Sequence, residues 1–236
     1  MNTKRRLIGG WMGGIRMIST LVLFLAEACS PANLIHTDPR DFLLKGTDLP
    51  IEGRYTIPLH ERHPISNEMV VYLMGDQAGE KRVQSTGRLL GWRVHFVRGE
   101  DVKTGPEDIT CVVMQFATPE GARLNLDTYA LSKVNPREWQ RLARTLHLGE
   151  ASLAETRVEP FADGSKMVYF EVNFIQRNVG VRIEVNGMEG QVTLEDGLDL
   201  AAVVLAKLSK AELYQEPVPT PTPGFEPPEE GMTIYQ

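Results

Sequence analysis

No apolar run in the N-terminal part of this chain is long enough to cross a bilayer. A spanning helix needs about 20 apolar residues to cover a hydrocarbon core about 30 Å thick. The uninterrupted apolar stretch, Met17 to Ala26, has ten and includes Ser19 and Thr20. Extending it back to Leu7 places Arg16 in mid-membrane, which is costly. Basic charge is also scarce. The chain carries a net charge of −6. Residues 1–28 hold four of the basic residues and one acid, so the remainder has 21 basic against 30 acidic residues, a net −9. That balance excludes nucleic acid as a partner and excludes binding to anionic lipid through charge.

Recognisable reaction chemistry is missing too. In His60-Glu61-Arg62-His63 the histidines are three apart, not four, and Pro64 follows, so the zincin arrangement of two imidazoles on one helix face is absent. Residues 75–81 (GDQAGEK) lack the spacing of a phosphate loop, and no serine lies in a nucleophile elbow or a Ser-x-x-Lys context. The paired acids Glu100-Asp101 and Glu107-Asp108 lack the alternation and glycine turn of a calcium loop and read as a solvated loop. No metal, cofactor or catalytic residue is assigned.

There are only two cysteines. Cys111 lies among apolar neighbours and is expected as a buried, inert thiol. Cys29 follows the apolar stretch directly. A basic start (Lys4, Arg5, Arg6), a short apolar region and small residues at its end make up an export signal over residues 1–28. Lys4 before the arginine pair and Leu-Ile-Gly after it match a twin-arginine signal poorly. The segment Ala26-Glu27-Ala28-Cys29 resembles the lipobox of bacterial lipoproteins, where a small residue precedes a cysteine that becomes diacylglyceryl-modified. It departs from that pattern at Ala26, where leucine is preferred, and at Glu27, where a small uncharged residue is usual. The resemblance implies a lipidated Cys29, attachment to the outer face of the cell membrane, and a membrane partner reached through acyl chains, two of which anchor stably where one is marginal. The alternatives are a retained anchor, or cleavage nearby that leaves Cys29 to pair with Cys111 and the protein secreted.

Residues 29–41 read as a linker and residues 42–213 as one domain. Residues 214–236 read as a disordered tail: the last 21 residues hold six prolines and four glutamates and no basic residue. None of those prolines are three apart, so no Pro-x-x-Pro ligand is present. Within the domain, residues 48–64 are expected as loop or edge strand. Ser66 is placed to cap a helix over 67–74, and residues 80–87 can extend the helical region. Period-two alternation predicts strands over 90–97, with Leu90, Trp92, Val94 and Phe96 on one face, and over 109–116, apolar on both faces and so central. Thr118-Pro119 and Asn135-Pro136 are read as two helix starts, the second for a short helix with Trp139 and Leu142. Residues 168–185 form the strongest hairpin, with a further turn at Asn186-Gly187. A capping box at Thr193 to Asp196 opens a last helix to about Leu213, with Leu194, Leu198, Ala201, Leu205 and Leu208 in one stripe.

The expected fold is therefore α+β: four or five mainly antiparallel strands with helices on one face. The order resembles PsbP-like domains and related small envelope lipoproteins. The carriers are Leu43-Leu44 with Asp48-Leu49-Pro50, then Gly91-Trp92-Arg93-Val94, and the 168–185 hairpin. That resemblance implies a non-enzymatic module for an envelope protein or a small ligand. The candidate partner-binding face is the polar side of the sheet: Arg93, His95, Tyr169, Glu171, Asn173, Arg182 and Glu184. Cross-strand pairs such as Glu171 with Arg182 are the structural alternative for these residues. An envelope hydrolase with a scattered site and a purely structural lipoprotein are the competing functions.

Overall fold

The computed structural model describes residues 34–51, 54–128 and 138–211. Residues 1–28, Cys29, Asn135-Pro136 and the tail over 214–236 lie outside them. Eight antiparallel strands form one sheet: β1 (Tyr55–Thr56), β2 (Arg62–Ile65), β3 (Arg88–Arg98), β4 (Asp108–Phe116), β5 (Gln140–Arg141), β6 (Ala151–Pro160), β7 (Lys166–Gln176) and β8 (Val179–Met188). The order is β1-β3-β4-β8-β7-β6-β5, with β2 also on the outer edge of β3. Among the described residues four α-helices accompany it: α1 (Asn67–Met74), α2 (Asp76–Thr86), α3 (Pro119–Asp127) and α4 (Leu194–Leu208).

The class is α+β, but the sheet exceeds the four or five strands expected. The addition is β6, flanked by the two-residue β5, together with the short edge pieces β1 and β2. β6 pairs with β7 along its whole length, from Ala151 opposite Ile175 to Pro160 opposite Lys166. Trp139 precedes extended backbone at β5, where a helix was expected, and Asn186-Gly187 continue β8; the chain turns only at Gly190, with φ +84°. The helix starts are where local chemistry places them. Ser66 accepts from Met69 N–H, Thr118 accepts from Gly121 N–H ahead of Pro119, and Thr193 and Asp196 close a capping box.

The larger core lies on one face of the sheet. Val94 and Phe96 of β3, Ile109, Cys111 and Val113 of β4, Val172 and Phe174 of β7, and Val181, Ile183 and Val185 of β8 meet Leu200, Ala201 and Val204 of α4. Leu198 and Leu205 of the predicted stripe flank this contact and are partly buried. Leu43, Leu44 and Leu49 complete the core from the N-terminal side. The Lys207 ammonium donates to Leu43 O at 2.9 Å and pairs with Asp48 Oδ2 at 2.5 Å, which ties the Asp48-Leu49-Pro50 turn to the end of α4.

Helices do not occupy one face only. Met114 and Phe116 of β4, Ile175 of β7 and Ala151 and Leu153 of β6 have the opposite parity and pack with Ala122 and Leu126 of α3. Among the described residues α4 covers the core face, and α3 takes one end of the polar side. Close backbone approach makes this possible: a Cβ on Gly121 would sit 2.0 Å from Thr86 O at the end of α2. The folded unit also begins before residue 42. Ile35 is fully buried, and residues 34–41, expected as linker, lie against the domain.

Candidate functional site on the polar face of the sheet

All seven candidate residues share the sheet face opposite the main core, because side chains alternate along each strand. Register sorts them into rows. Arg93 on β3 lies opposite Val112 on β4, which lies opposite Arg182 on β8, which lies opposite Asn173 on β7. The next row runs His95, Thr110, Glu184, Glu171 and Glu155. Tyr169 follows, opposite Asn186 and Arg157. Strand β4 thus separates Arg93 and His95 from the other five. Glu171 faces Glu184 directly and Arg182 faces Asn173, so Glu171 and Arg182 are diagonal cross-strand neighbours.

The β7–β8 half is not a free surface. Glu171 is 1% and Asn173 3% exposed, and Glu155 is buried beside them. The Asn173 amide donates to Glu171 Oε1 at 2.7 Å. Further along, the Arg157 guanidinium lies 4.0 Å from the Tyr169 ring centroid and 5.5 Å from that of Trp139, and the two rings meet edge-on at 6.4 Å. Tyr169 OH donates to Glu159 Oε2 at 3.1 Å. Burial, then this bond and the Glu159 charge, raise the Tyr169 phenol above its ordinary value. This half reads as a packed polar and aromatic lattice that holds β6 onto β7.

The β3 half is partly exposed and its charges lie closer together. His95 Nε2 meets Asp108 Oδ1 at 2.8 Å, and its Nδ1 points at Glu61 Oε2 at 3.5 Å. Arg93 reaches the same Glu61 oxygen at 3.5 Å. The four side chains are between a fifth and a third exposed. Glu61 Oε2 and His95 Nδ1 are both buried atoms without a hydrogen-bond partner. The cluster thus sets a guanidinium, an imidazole and two carboxylates side by side on β3 and β4 and just before β2. Glu61 and Asp108 join the cluster without a local signal in the sequence. Glu61 sits in an irregular stretch after His60, whose φ is +68°, and only the β2–β3 pairing brings it under His95.

Cys111 is a free thiol, fully buried, with its pKa pushed up to about 12 by desolvation. Among the described residues no helix is long and apolar enough to cross a membrane.

No family model matches the chain, and no curated protein matches it. Among solved structures, the extracellular domain of PknH from Mycobacterium tuberculosis is similar at 14% identity and a TM-score of 0.42, over 67% of this chain and 84% of that one.

Proposed function

We propose that this chain is an exported, lipid-anchored protein of the cell envelope whose α+β domain binds a protein partner or small ligand without catalysis. One observation carries the anchoring: the basic start, the short apolar run and the Ala28-Cys29 pair stand only six residues before Ile35, the first buried residue of the described domain. A cysteine lipid supplies the membrane attachment that an acidic body lacks. For recognition, the partly exposed Arg93–Glu61–His95–Asp108 cluster is the part of the polar face assigned to a partner. The likeness of the Leu43-Leu44, Asp48-Leu49-Pro50 and hairpin pattern to PsbP-like domains points to the same kind of module, at the level of analogy.

Two measurements test the two halves of this reading. Radiolabelled palmitate enters the wild-type chain and fails to enter Cys29→Ser, which is released from membranes; unchanged labelling, or a wild type that is already soluble, overturns the anchor. Crosslinking in intact envelopes captures a partner that Arg93→Glu loses while keeping its fold. Equal capture by both chains removes the β3 cluster as the binding face.

A further inference from the structure

We propose that the outer face of α1 lies on the membrane to which the chain is tethered; the inference rests on the anchor reading above. Helix α1 is unusual in burying none of its own residues. A helix of a globular domain normally turns its apolar stripe inward. Here Tyr72 is 81%, Leu73 68% and Met69 38% exposed, at spacings of three and four on one side of the helix, and Leu89 beside the helix start is 52% exposed.

The helix is nevertheless mounted firmly. The buried Arg88 side chain donates to Asn67 Oδ1 and to Ile65 O, both at 2.7 Å, and the Asn67 amide donates back to Arg88 O at 3.1 Å. On its other side α1 is pressed against α2: a Cβ on Gly79 would lie 2.4 Å from the Val71 Cα. A polar clamp and a glycine contact thus fix a helix whose Met69, Tyr72 and Leu73 side chains point away from the protein while Val70, Val71 and Met74 are partly buried.

The occupant follows from where the tether leaves the fold. Gln115 donates to Ile35 O at 2.6 Å, and Gln115 is the register partner of Leu90. Ile35 therefore sits at the same end of the sheet as the start of β3, which carries Leu89 and clamps α1, with the Gln115 side chain bridging between them. Only six residue steps separate Cys29 from Ile35, a reach of at most about 20 Å. This end of the sheet cannot move far from a bilayer that holds Cys29. Tethering makes the docking intramolecular, so a small apolar contact suffices. Tyrosine beside leucine and methionine suits the headgroup boundary, and no basic charge is needed.

The test uses the full chain in vesicles of neutral phosphatidylcholine, with an environment-sensitive fluorophore at Leu73→Cys or, as control, at Asp163→Cys in the β6–β7 turn at the opposite end of the sheet. Emission from position 73 shifts to the blue and is lost when the vesicles carry a spin-labelled acyl chain; position 163 does neither. The companion Met69→Ser/Tyr72→Ser pair abolishes the shift at 73 while circular dichroism stays unchanged. A label at 73 that is as open to aqueous iodide as the one at 163 overturns the docking. To separate this from the anchor itself, the same labels are read on a chain with hexahistidine inserted in place of Cys29, held to nickel-chelating vesicles. A blue shift there with no palmitate in the native chain keeps the docking face and removes the lipid; palmitate labelling without a shift at 73 does the reverse.

Discussion

Asn178 holds Ile35 by both edges of its amide. Its Oδ1 accepts from Ile35 N–H at 2.7 Å and its Nδ2 donates to Ile35 O at 3.2 Å, with a further bond to Phe116 O at 3.0 Å. Asn178 lies in the turn between β7 and β8, 143 positions away in sequence, and is itself buried. The start of the folded unit is thereby sewn to the turn end of the central strands β7 and β8. Deleting the amide strands buried backbone groups, so Asn178→Ala should cost about 2–4 kcal/mol, the sum of two or three unmet buried bonds. Denaturant midpoints measure this, and amide exchange should accelerate over residues 34–45. An unchanged midpoint with slow exchange would show that Gln115 alone secures Ile35.

The Glu61–His95–Asp108 contacts should matter locally more than globally. The three side chains are partly exposed, so His95→Ala should cost only about 1 kcal/mol. Its signature is elsewhere: β2 joins the sheet only at the outer edge of β3, so losing the His95–Glu61 contact should speed amide exchange over residues 61–65 and leave β4 unaffected. Uniform acceleration across the sheet would contradict a local clasp.

Two glycines with similar backbone should differ sharply. Gly149 and Gly164 have φ of +58° and +86°, both in the region L-residues rarely adopt. A Cβ at Gly164 meets nothing, whereas at Gly149 it would lie 2.1 Å from Ile175 O. Gly164→Ala should cost about 1 kcal/mol from backbone strain alone. Gly149→Ala should cost about 3 kcal/mol or more, because β6 must also move off β7. Thermal melts of the pair decide it, and equal losses would mean the Ile175 carbonyl yields freely.

Most of this sheet is visible in the sequence because its central strands alternate strongly. The 168–185 hairpin and the doubly apolar β4 emerge at nearly their true limits, and Ser66, Thr118 and Thr193 mark helix starts correctly. What escapes notice is instructive. In β6 the side facing α3 and the polar lattice reads Ala151, Leu153, Glu155, Arg157, and the other side includes Ser152, Ala154, Thr156 and Val158, so neither side stands out as apolar. Glu155 is buried by its neighbours, not by its own chemistry. The same applies to the site. Arg93 and His95 are readable as one face of a strand, but Glu61 and Asp108 join them only through pairing across β2, β3 and β4. The covering of Asn173 and Glu171 likewise depends on long-range packing, which local periodicity does not encode.

Alkaline titration offers a last check on the core. Burial raises the Cys111 thiol from about 9 to about 12, so between those values the folded chain keeps a proton that the unfolded chain has released. Stability should then be full below about pH 9 and fall as pH rises toward 12. The slope for one such group approaches about 1.4 kcal/mol per pH unit. The Tyr55 and Tyr169 phenols, both raised chiefly by burial, act in the same direction at high pH. Cys111→Ala removes only the thiol contribution, so its denaturant midpoint should fall less steeply than the wild type's between pH 9 and 10.5, although cavity formation makes it less stable at pH 7. Thiol reagents at pH 8 should likewise leave Cys111 unmodified until denaturant is added. Parallel pH slopes in the two chains, or rapid modification of the folded protein at Cys111, would show that the strand carrying it opens far more readily than a central β4 should.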